Sequence, residues 1–118
     1  MDFQPTHLPI EDEYPKLVRD GIPEIIKEKQ GAYPPQRTLN DDNEFLDYLL
    51  KKMVEESVEL QNSVTIGNLE EELADVFEVI DAILKLKRKT KDDIAVIQKE
   101  KRKKRGGFEK RILMLGRK

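Results

Sequence analysis

The chain contains no cysteine and a single histidine, His7, among its 118 residues. The absence of cysteine excludes disulfide bonds, thiolate metal ligands and cysteine nucleophiles, and it fits a reducing compartment. One histidine is too few for a di-iron carboxylate bundle, which takes a Glu-x-x-His motif from each of two helices. We expect His7 itself to lie at the surface without a catalytic role. Any reaction on this chain therefore proceeds without thiol or imidazole chemistry.

The chain also lacks an apolar run of membrane-spanning length and an N-terminal run that resembles a signal peptide. We therefore expect a cytoplasmic protein with no membrane partner. The 22 basic and 24 acidic residues leave a net charge of -2, which argues against a nucleic-acid partner. The two signs are nonetheless separated along the sequence, because acids concentrate between Asp41 and Asp81 and bases follow Lys85.

Hydrophobic periodicity predicts an all-α single domain, residues 1–118, with an irregular N-terminal arm (1–15) and a C-terminal tail (108–118). We predict helices over residues 22–29, 41–63, 68–88 and 91–105. Asn40 or Asp41 should cap the second helix, Asn68 with Glu71 should form a capping box on the third, and Thr90 with Asp93 should cap the fourth. The apolar tail should pack as a short strand or an extended segment.

The second and third helices each carry an apolar stripe at helical spacing. A connection as short as residues 64–67 makes them antiparallel neighbours. One such hairpin cannot close a core alone, so we expect a four-helix bundle completed by oligomerisation. The stripes comprise Phe45, Leu46, Leu49, Leu50, Met53 and Leu60 on one helix, and Leu69, Leu73, Val76, Phe77, Ile80, Ile83 and Leu84 on the other. Leu46, Leu50 and Val54 are candidates for the oligomer interface.

Two carboxylate clusters lie on these helices, Glu55-Glu56-Ser57-Val58-Glu59 and Glu72-Leu73-Ala74-Asp75. Acids three residues apart share one helix face. At about 100° per residue, Glu56 lies on the same side of its helix as the apolar residues Phe45 and Leu49, at an angle between them, so it must be buried or line a cavity. On the next helix, Glu72 lies beside Val79 at the edge of the apolar stripe. Carboxylates that converge need a cation or protons, and oxygen ligands favour a hard cation such as Mg²⁺, with Mn²⁺ possible.

The simpler reading is that these acids face water, as most helix carboxylates do. By the same angular argument we expect four neighbouring acids to be solvent-facing: Glu70, Glu71, Glu78 and Asp81. The position of Glu56 inside the apolar stripe argues against that reading for the clusters themselves.

Together, Glu-Glu-x-x-Glu followed after twelve residues by Glu-x-x-Asp resembles the signature of the all-α nucleoside triphosphate pyrophosphohydrolases. This superfamily includes MazG-like proteins and phosphoribosyl-ATP pyrophosphohydrolase. Residues 16–26 (KLVRDGIPEII) look like the opening segment of one MazG-like subgroup, and residues 101–111 (KRKKRGGFEKR) look like its closing segment. Three blocks in the expected order make the resemblance specific.

The resemblance implies Mg²⁺-dependent hydrolysis of the α–β phosphoanhydride, which releases a nucleoside monophosphate and pyrophosphate. It implies a homodimer or homotetramer with sites near the interface. Matched position by position, the metal ligands would be Glu56, Glu59, Glu72 and Asp75. Glu56 would also serve catalysis, together with Glu55, which either orients a water or a ligand or is a structural surface acid.

Five basic residues are candidates for binding the nucleotide substrate's phosphates: Lys16, Arg19, Lys101, Lys104 and Arg105. The last three fall near one face at the end of the fourth helix, beside a glycine pair that lets backbone approach an anion. The alternative for this segment is a solvated basic face, which we prefer for Lys99, Arg102 and Lys103. No aromatic platform accompanies the cluster, as single-stranded nucleic acid would require. Three aromatic residues could either stack on a nucleotide base or pack in the core or a loop: Phe45, Tyr48 and Tyr33. The sequence does not decide between these roles.

Two other functions stay open at this stage. One is phosphoribosyl-ATP pyrophosphohydrolase of histidine biosynthesis, which uses the same acids. The other is a non-catalytic helical oligomerisation or regulatory module, in which the acids are surface charge. The opening motif and the absence of a fused second domain look more like a stand-alone MazG-like nucleotide hydrolase than the histidine-biosynthesis enzyme.

Overall fold

The computed structural model describes residues 14–118, and within that range the chain forms four α-helices and no strand. We number them α1 (Ile22–Gln30), α2 (Asp42–Gln61), α3 (Ile66–Leu86) and α4 (Lys91–Arg105). The all-α prediction is confirmed for this part of the chain. His7 and most of the predicted N-terminal arm lie outside the described residues. None of these helices is long and apolar enough to cross a membrane.

Local capping explains most of the helix boundaries. The Asp41 carboxylate accepts a hydrogen bond of 2.9 Å from the backbone N–H of Asn43 and begins α2. Thr90 and Asp93 form a reciprocal capping box at the start of α4, with hydrogen bonds of 3.1 and 2.8 Å. Gly31, at φ 82°, adopts the left-handed conformation that ends α1. The caps at Asp41 and at Thr90 with Asp93 agree with the sequence prediction.

The predicted capping box at the start of α3 is wrong. The helix begins two residues before Asn68, and the Thr65 hydroxyl accepts the backbone N–H of Asn68 at 3.1 Å. Asn68 is therefore the third helical residue rather than the cap. Thr65 satisfies a free N–H of the first turn, so the helix can include Ile66 and Gly67.

The C-terminus of α3 ends in a left-handed turn built on arginine. Arg88 has φ 56°. The backbone N–H of Lys89 donates to the carbonyl of Leu84 at 2.9 Å, and that of Arg88 donates to Lys85 at 3.2 Å. This pair of hydrogen bonds is the Schellman motif, which usually places glycine at the left-handed position. Thr90 then starts α4 immediately after the turn.

The antiparallel pair α2 and α3, called the hairpin below, is the structural centre of the described chain. Leu49 of α2 and Val79 of α3 are buried there, and Ile22 of α1 is buried as well. These three are the only buried hydrophobic residues in the described range, and no side chain there is less than 2% exposed. Part of each predicted apolar stripe is exposed instead, including Leu50 on α2 and Phe77 on α3. A single copy thus buries only a small core.

The chain is also extended. Every residue from 91 to 118 is exposed, which covers α4 and the tail after it. The radius of gyration is 17.7 Å, whereas a compact chain of this length has about 13 Å. The tail forms no strand. Its five apolar residues, Phe108, Ile112, Leu113, Met114 and Leu115, are exposed, so the expectation that the tail packs is not met within one copy.

Candidate metal centre

Three acids from the two hairpin helices converge at the seam between them. Glu56 of α2 and Glu72 and Asp75 of α3 each offer one carboxylate oxygen, and these three oxygens lie within 4.8 Å of one another. Glu72 and Asp75 share one face of α3 because they are three residues apart. The antiparallel packing of α2 against α3 adds Glu56 from the other side.

Two of these acids are buried, which is unusual for carboxylates. Glu56 is 8% exposed and Glu72 is 6% exposed. Oε2 of Glu72 is the one buried side-chain oxygen or nitrogen in the described range that has no hydrogen-bond partner. A buried charged oxygen without a partner costs several kcal/mol, on the order of 1–3 even for a neutral polar group. The site therefore holds an oxygen that a ligand could satisfy.

Burial and mutual repulsion shift the protonation of both buried acids. Burial, followed by the charges of Asp75, Glu56, Glu59 and Glu71, raises the pKa of Glu72 from 4.5 to about 7. Burial also raises the pKa of Glu56, although the ammonium group of Lys52 partly offsets this effect. Without a cation, the cluster relieves its repulsion by keeping a proton near neutral pH.

The donor set fits a hard divalent cation. Oxygens that share a Mg²⁺ ion at about 2.0–2.1 Å lie roughly 3–4 Å from one another, so a cluster within 4.8 Å has the required size. The set is all-oxygen and acidic, and one of its members, Glu72, has a buried oxygen without a hydrogen-bond partner. The residues that would hold the ion are Glu56, Glu72 and Asp75.

Basic side chains surround the acids. Nη2 of Arg19 donates to Oδ1 of Asp75 at 2.7 Å, and Nη1 of Arg19 lies 3.5 Å from Glu78. Nζ of Lys52 donates to Glu55 at 3.2 Å and lies 3.4 Å from Oε1 of Glu56. These contacts link the opening segment and α2 to the acid cluster, and they partly neutralise it.

The acid cluster opens into a cleft of about 410 Å³. Four acids line the cleft, Asp20, Glu56, Asp75 and Glu78, and two bases do so, Arg19 and Lys52. Its apolar lining includes Leu17, Val18, Phe45, Leu49, Val79 and Ala82. A cleft with an apolar wall and a charged end can hold a ligand that combines both properties.

Glu55 and Glu59, the other two predicted acids, lie outside the group of three. Glu55 is mostly buried and pairs with Lys52, and Nζ of Lys16 lies 3.9 Å from its Oε1. Glu59 is partly buried, and its charge contributes to the raised pKa of Glu72. Their predicted roles as water-orienting acid and metal ligand stay predictions.

The predicted phosphate-binding residues divide into two sets. Lys16 and Arg19 lie beside the acids, through their ion pairs with Glu55 and Asp75. The other three, Lys101, Lys104 and Arg105, lie on the exposed helix α4, and none of them lines the cleft. A single copy does not bring the two sets together.

Sequence reasoning missed two participants. Glu78, expected to face solvent, has an exposed side chain but also lines the cleft and pairs with Arg19. Lys52 was not singled out, although it lies three and four residues before Glu55 and Glu56, the spacing at which opposite charges pair on a helix. That spacing was a usable signal.

No protein-family model, curated protein or solved structure matches this chain. Membership of the MazG-like superfamily therefore stays a prediction from the sequence motifs. What the described residues provide is a buried acidic cluster suited to a metal ion, at the end of a partly apolar cleft.

Proposed function

We propose that this protein is a divalent-metal-dependent nucleoside triphosphate pyrophosphohydrolase. The observation that carries the proposal is the buried, unpartnered oxygen of Glu72 within a cluster that also contains Glu56 and Asp75. A purely structural hairpin gains nothing from burying two carboxylates, since each costs desolvation energy. The motif resemblance supplies the reaction, and the acidic cluster supports its dependence on a metal.

In the proposed reaction, the oxygen of a water bonds to one phosphorus while the bridging bond between the α- and β-phosphates breaks. The products are a nucleoside monophosphate and pyrophosphate. A divalent cation held by the three acids would neutralise phosphate charge and lower the pKa of a bound water. Glu55 lies outside the acid group and the cleft lining and pairs with Lys52. Its assignment as the carboxylate that orients the water and accepts its proton therefore comes from the motif resemblance.

The remaining cleft residues bind and orient the substrate. Arg19 and Lys52 lie next to the acids, where they would contact phosphate oxygens. Phe45 lines the apolar part of the cleft and offers a face on which a base could stack. Tyr33 and Tyr48 have no such position, because neither lines the cleft.

The apolar side chains that one copy leaves exposed support a homo-oligomer in the proposal. Leu50, Val54 and Val58 recur every four residues on α2, and Leu73 and Phe77 do so on α3. None of them lines the cleft. Helical periodicity places both stripes on the side of the hairpin away from the cleft, so a second hairpin docked there would complete a four-helix bundle without covering the site.

Turnover measurements on matched variants test the proposed activity. We expect Glu56→Gln and Asp75→Asn each to abolish Mg²⁺-dependent pyrophosphate release while circular dichroism shows a folded helical protein. Glu70→Gln is the matched control, because Glu70 is exposed on α3 and outside the acid cluster. Full activity in either site variant would exclude the acids from the mechanism.

The choice of substrate needs a panel of nucleotides. Standard, deoxy and modified nucleoside triphosphates and phosphoribosyl-ATP would be incubated with the protein and Mg²⁺, and products identified by phosphorus NMR. Pyrophosphate and a monophosphate from a triphosphate support the proposal. Turnover of phosphoribosyl-ATP alone would assign the biosynthetic reaction instead, and no turnover of any compound would favour a non-catalytic helical module.

A further inference from the structure

The segment from residue 91 to 118, called the basic arm below, is folded but has almost no contact with the rest of its own chain. Its helix α4 is fixed at its first turn by the Thr90–Asp93 capping box and by an ion pair of 3.3 Å between Lys91 and Asp81. Beyond that turn the arm is exposed throughout. Its tail includes Phe108, which is 96% exposed. A regular helix followed by an apolar tail, both in solvent, indicates a surface that is covered in the assembled protein.

The arm and the remainder of the chain have opposite charge. The arm contains eleven basic and four acidic residues, a net charge of +7. Residues 1–90 contain eleven basic and twenty acidic residues, a net charge of -9. A second copy of this chain therefore presents a surface that attracts the arm.

One face of α4 combines apolar and basic side chains in sequence. At about 100° per residue, Ile94 and Ile97 share a face with Lys101, Lys104 and Arg105. Ile94 and Ile97 are 43% and 55% exposed. The face is apolar near its start and basic near its end. Val96, Lys99 and Lys103 lie on the opposite side of the helix by the same arithmetic.

The cleft of the hairpin has the complementary order. On α2, Phe45 and Leu49 line the apolar part of the cleft, and Glu56 lines its acidic end. On α3, Ala82 lines the apolar part and Asp75 the acidic end. Phe45 and Glu56 are eleven residues apart, as are Ile94 and Arg105, and this separation spans about 16 Å on either helix.

We propose that the basic arm of one copy docks along the hairpin of a second copy and brings Lys101, Lys104 and Arg105 to the rim of the second copy's acidic cleft. The apolar half of the arm face covers the apolar part of the cleft rim. The basic half lies near Asp75 and Glu78. Each site is then completed by a neighbouring copy, which explains why the two predicted sets of phosphate-binding residues are apart in a single chain.

The docking is independent of turnover, but the assignment of the three bases to substrate phosphates rests on the proposed function. The chain's lack of cysteine allows a direct test of docking. Full-length chains with one cysteine each would be mixed with a short bis-maleimide. One chain carries Ala82→Cys, at the apolar part of the cleft, and a differently tagged chain carries Ile97→Cys, on the docking face. Cross-linked product between the two tags reports contact between copies.

We expect the Ala82→Cys and Ile97→Cys chains to cross-link at least tenfold more than Ala82→Cys mixed with Val96→Cys, the control from the opposite face of α4. Equal cross-linking in both mixtures, or none in either, would overturn docking through this face. If neither mixture cross-links and the protein is a monomer that binds added RNA through its arm, the arm is assigned to nucleic acid instead and the proposal is overturned.

Charge reversal gives a second measurement on the unlabelled protein. We expect Lys101→Glu with Arg105→Glu to weaken self-association, measured by analytical ultracentrifugation, by at least tenfold. The matched control, Lys99→Glu with Lys103→Glu, makes the same charge change on the opposite face and should have a much smaller effect. Equal effects of the two double variants would contradict the assigned face.

These results separate the two proposals. If the arm docks but the Glu56→Gln variant retains full turnover, the hydrolase assignment fails and the docking stands. If the acids prove essential for turnover but the arm fails to cross-link, the hydrolase stands and the arm proposal fails. When both hold, we expect Lys101→Glu with Arg105→Glu to raise KM for the triphosphate at protein concentrations where the oligomer persists.

Discussion

Replacing Glu72 by glutamine should stabilise the metal-free protein at alkaline pH while removing its response to metal. Burial and neighbouring acids raise the pKa of Glu72 from 4.5 to about 7. The folded protein therefore keeps the Glu72 proton between these two pH values, whereas the unfolded chain has released it. Because the unfolded chain binds fewer protons at this residue, the contribution of Glu72 to the free energy of unfolding falls as pH rises from 4.5 to about 7 and is then constant.

The size of this effect follows from the shift. Each pKa unit corresponds to about 1.4 kcal/mol, so Glu72 should remove about 3 kcal/mol of stability between pH 4 and pH 8. Glutamine has a similar shape and does not ionise. We therefore expect Glu72→Gln to equal the original protein at pH 4 and to exceed it by about 3 kcal/mol at pH 8. Such a gain is large compared with the total stability of a small domain.

Urea unfolding followed by circular dichroism measures the difference in free energy of unfolding between the two proteins. The buffer contains a chelator, so that the proteins are metal-free. The protein concentration is held fixed, because association also affects stability. Glu70→Gln is the matched control, since it removes the same charge from an exposed residue of α3 that lies outside the acid cluster and does not contribute to the pKa of Glu72. Added Mg²⁺ at one hundred times its dissociation constant should stabilise the original protein at pH 8 by about 2.7 kcal/mol and Glu72→Gln by much less. A Glu72→Gln protein that loses stability with pH as steeply as the original would refute the reasoning.

Two other predictions follow from contacts around the cleft and the end of α3. Arg19→Met should bind Mg²⁺ about tenfold more tightly in calorimetry without nucleotide, because Asp75 then no longer accepts a hydrogen bond of 2.7 Å from the Arg19 guanidinium. The control is Arg37→Met, which removes the ion pair between Arg37 and Glu44, outside the acid cluster. It should leave the Mg²⁺ affinity unchanged. Arg88→Gly should raise the free energy of unfolding by about 1 kcal/mol, because arginine at φ 56° is strained and glycine is not. A lower thermal midpoint for Arg88→Gly would contradict this account of the turn.

Much of the secondary structure was predictable because the signals that set it are local. Side-chain caps act within one helical turn, so Asp41, Thr90 and Asp93 could be recognised from their neighbours. The start of α3 was misplaced because Thr65 and Asn68 are both acceptable caps, and the sequence pattern offered no way to choose between them. The four predicted helices are nonetheless the four that the described residues form.

The burial of Glu56 was also predictable, since its angle on α2 places it between Phe45 and Leu49. The full membership of the acid cluster was not predictable. Whether Glu59 joins Glu56, and whether Arg19 reaches Asp75, depends on how α2 crosses α3 and where the opening segment lies. Those relations involve residues up to 56 positions apart in sequence, as with Arg19 and Asp75.

The sequence alone determined the helices, the hairpin and the inward acids, because helical periodicity and capping are properties of neighbouring residues. Only the tertiary structure decided that Glu56, Glu72 and Asp75 converge within 4.8 Å. It also decided that Glu72 is left with an unpartnered oxygen and that α4 extends away from its own hairpin. These features arise from packing between elements, in which the burial and charge of each side chain depend on partners distant in the chain.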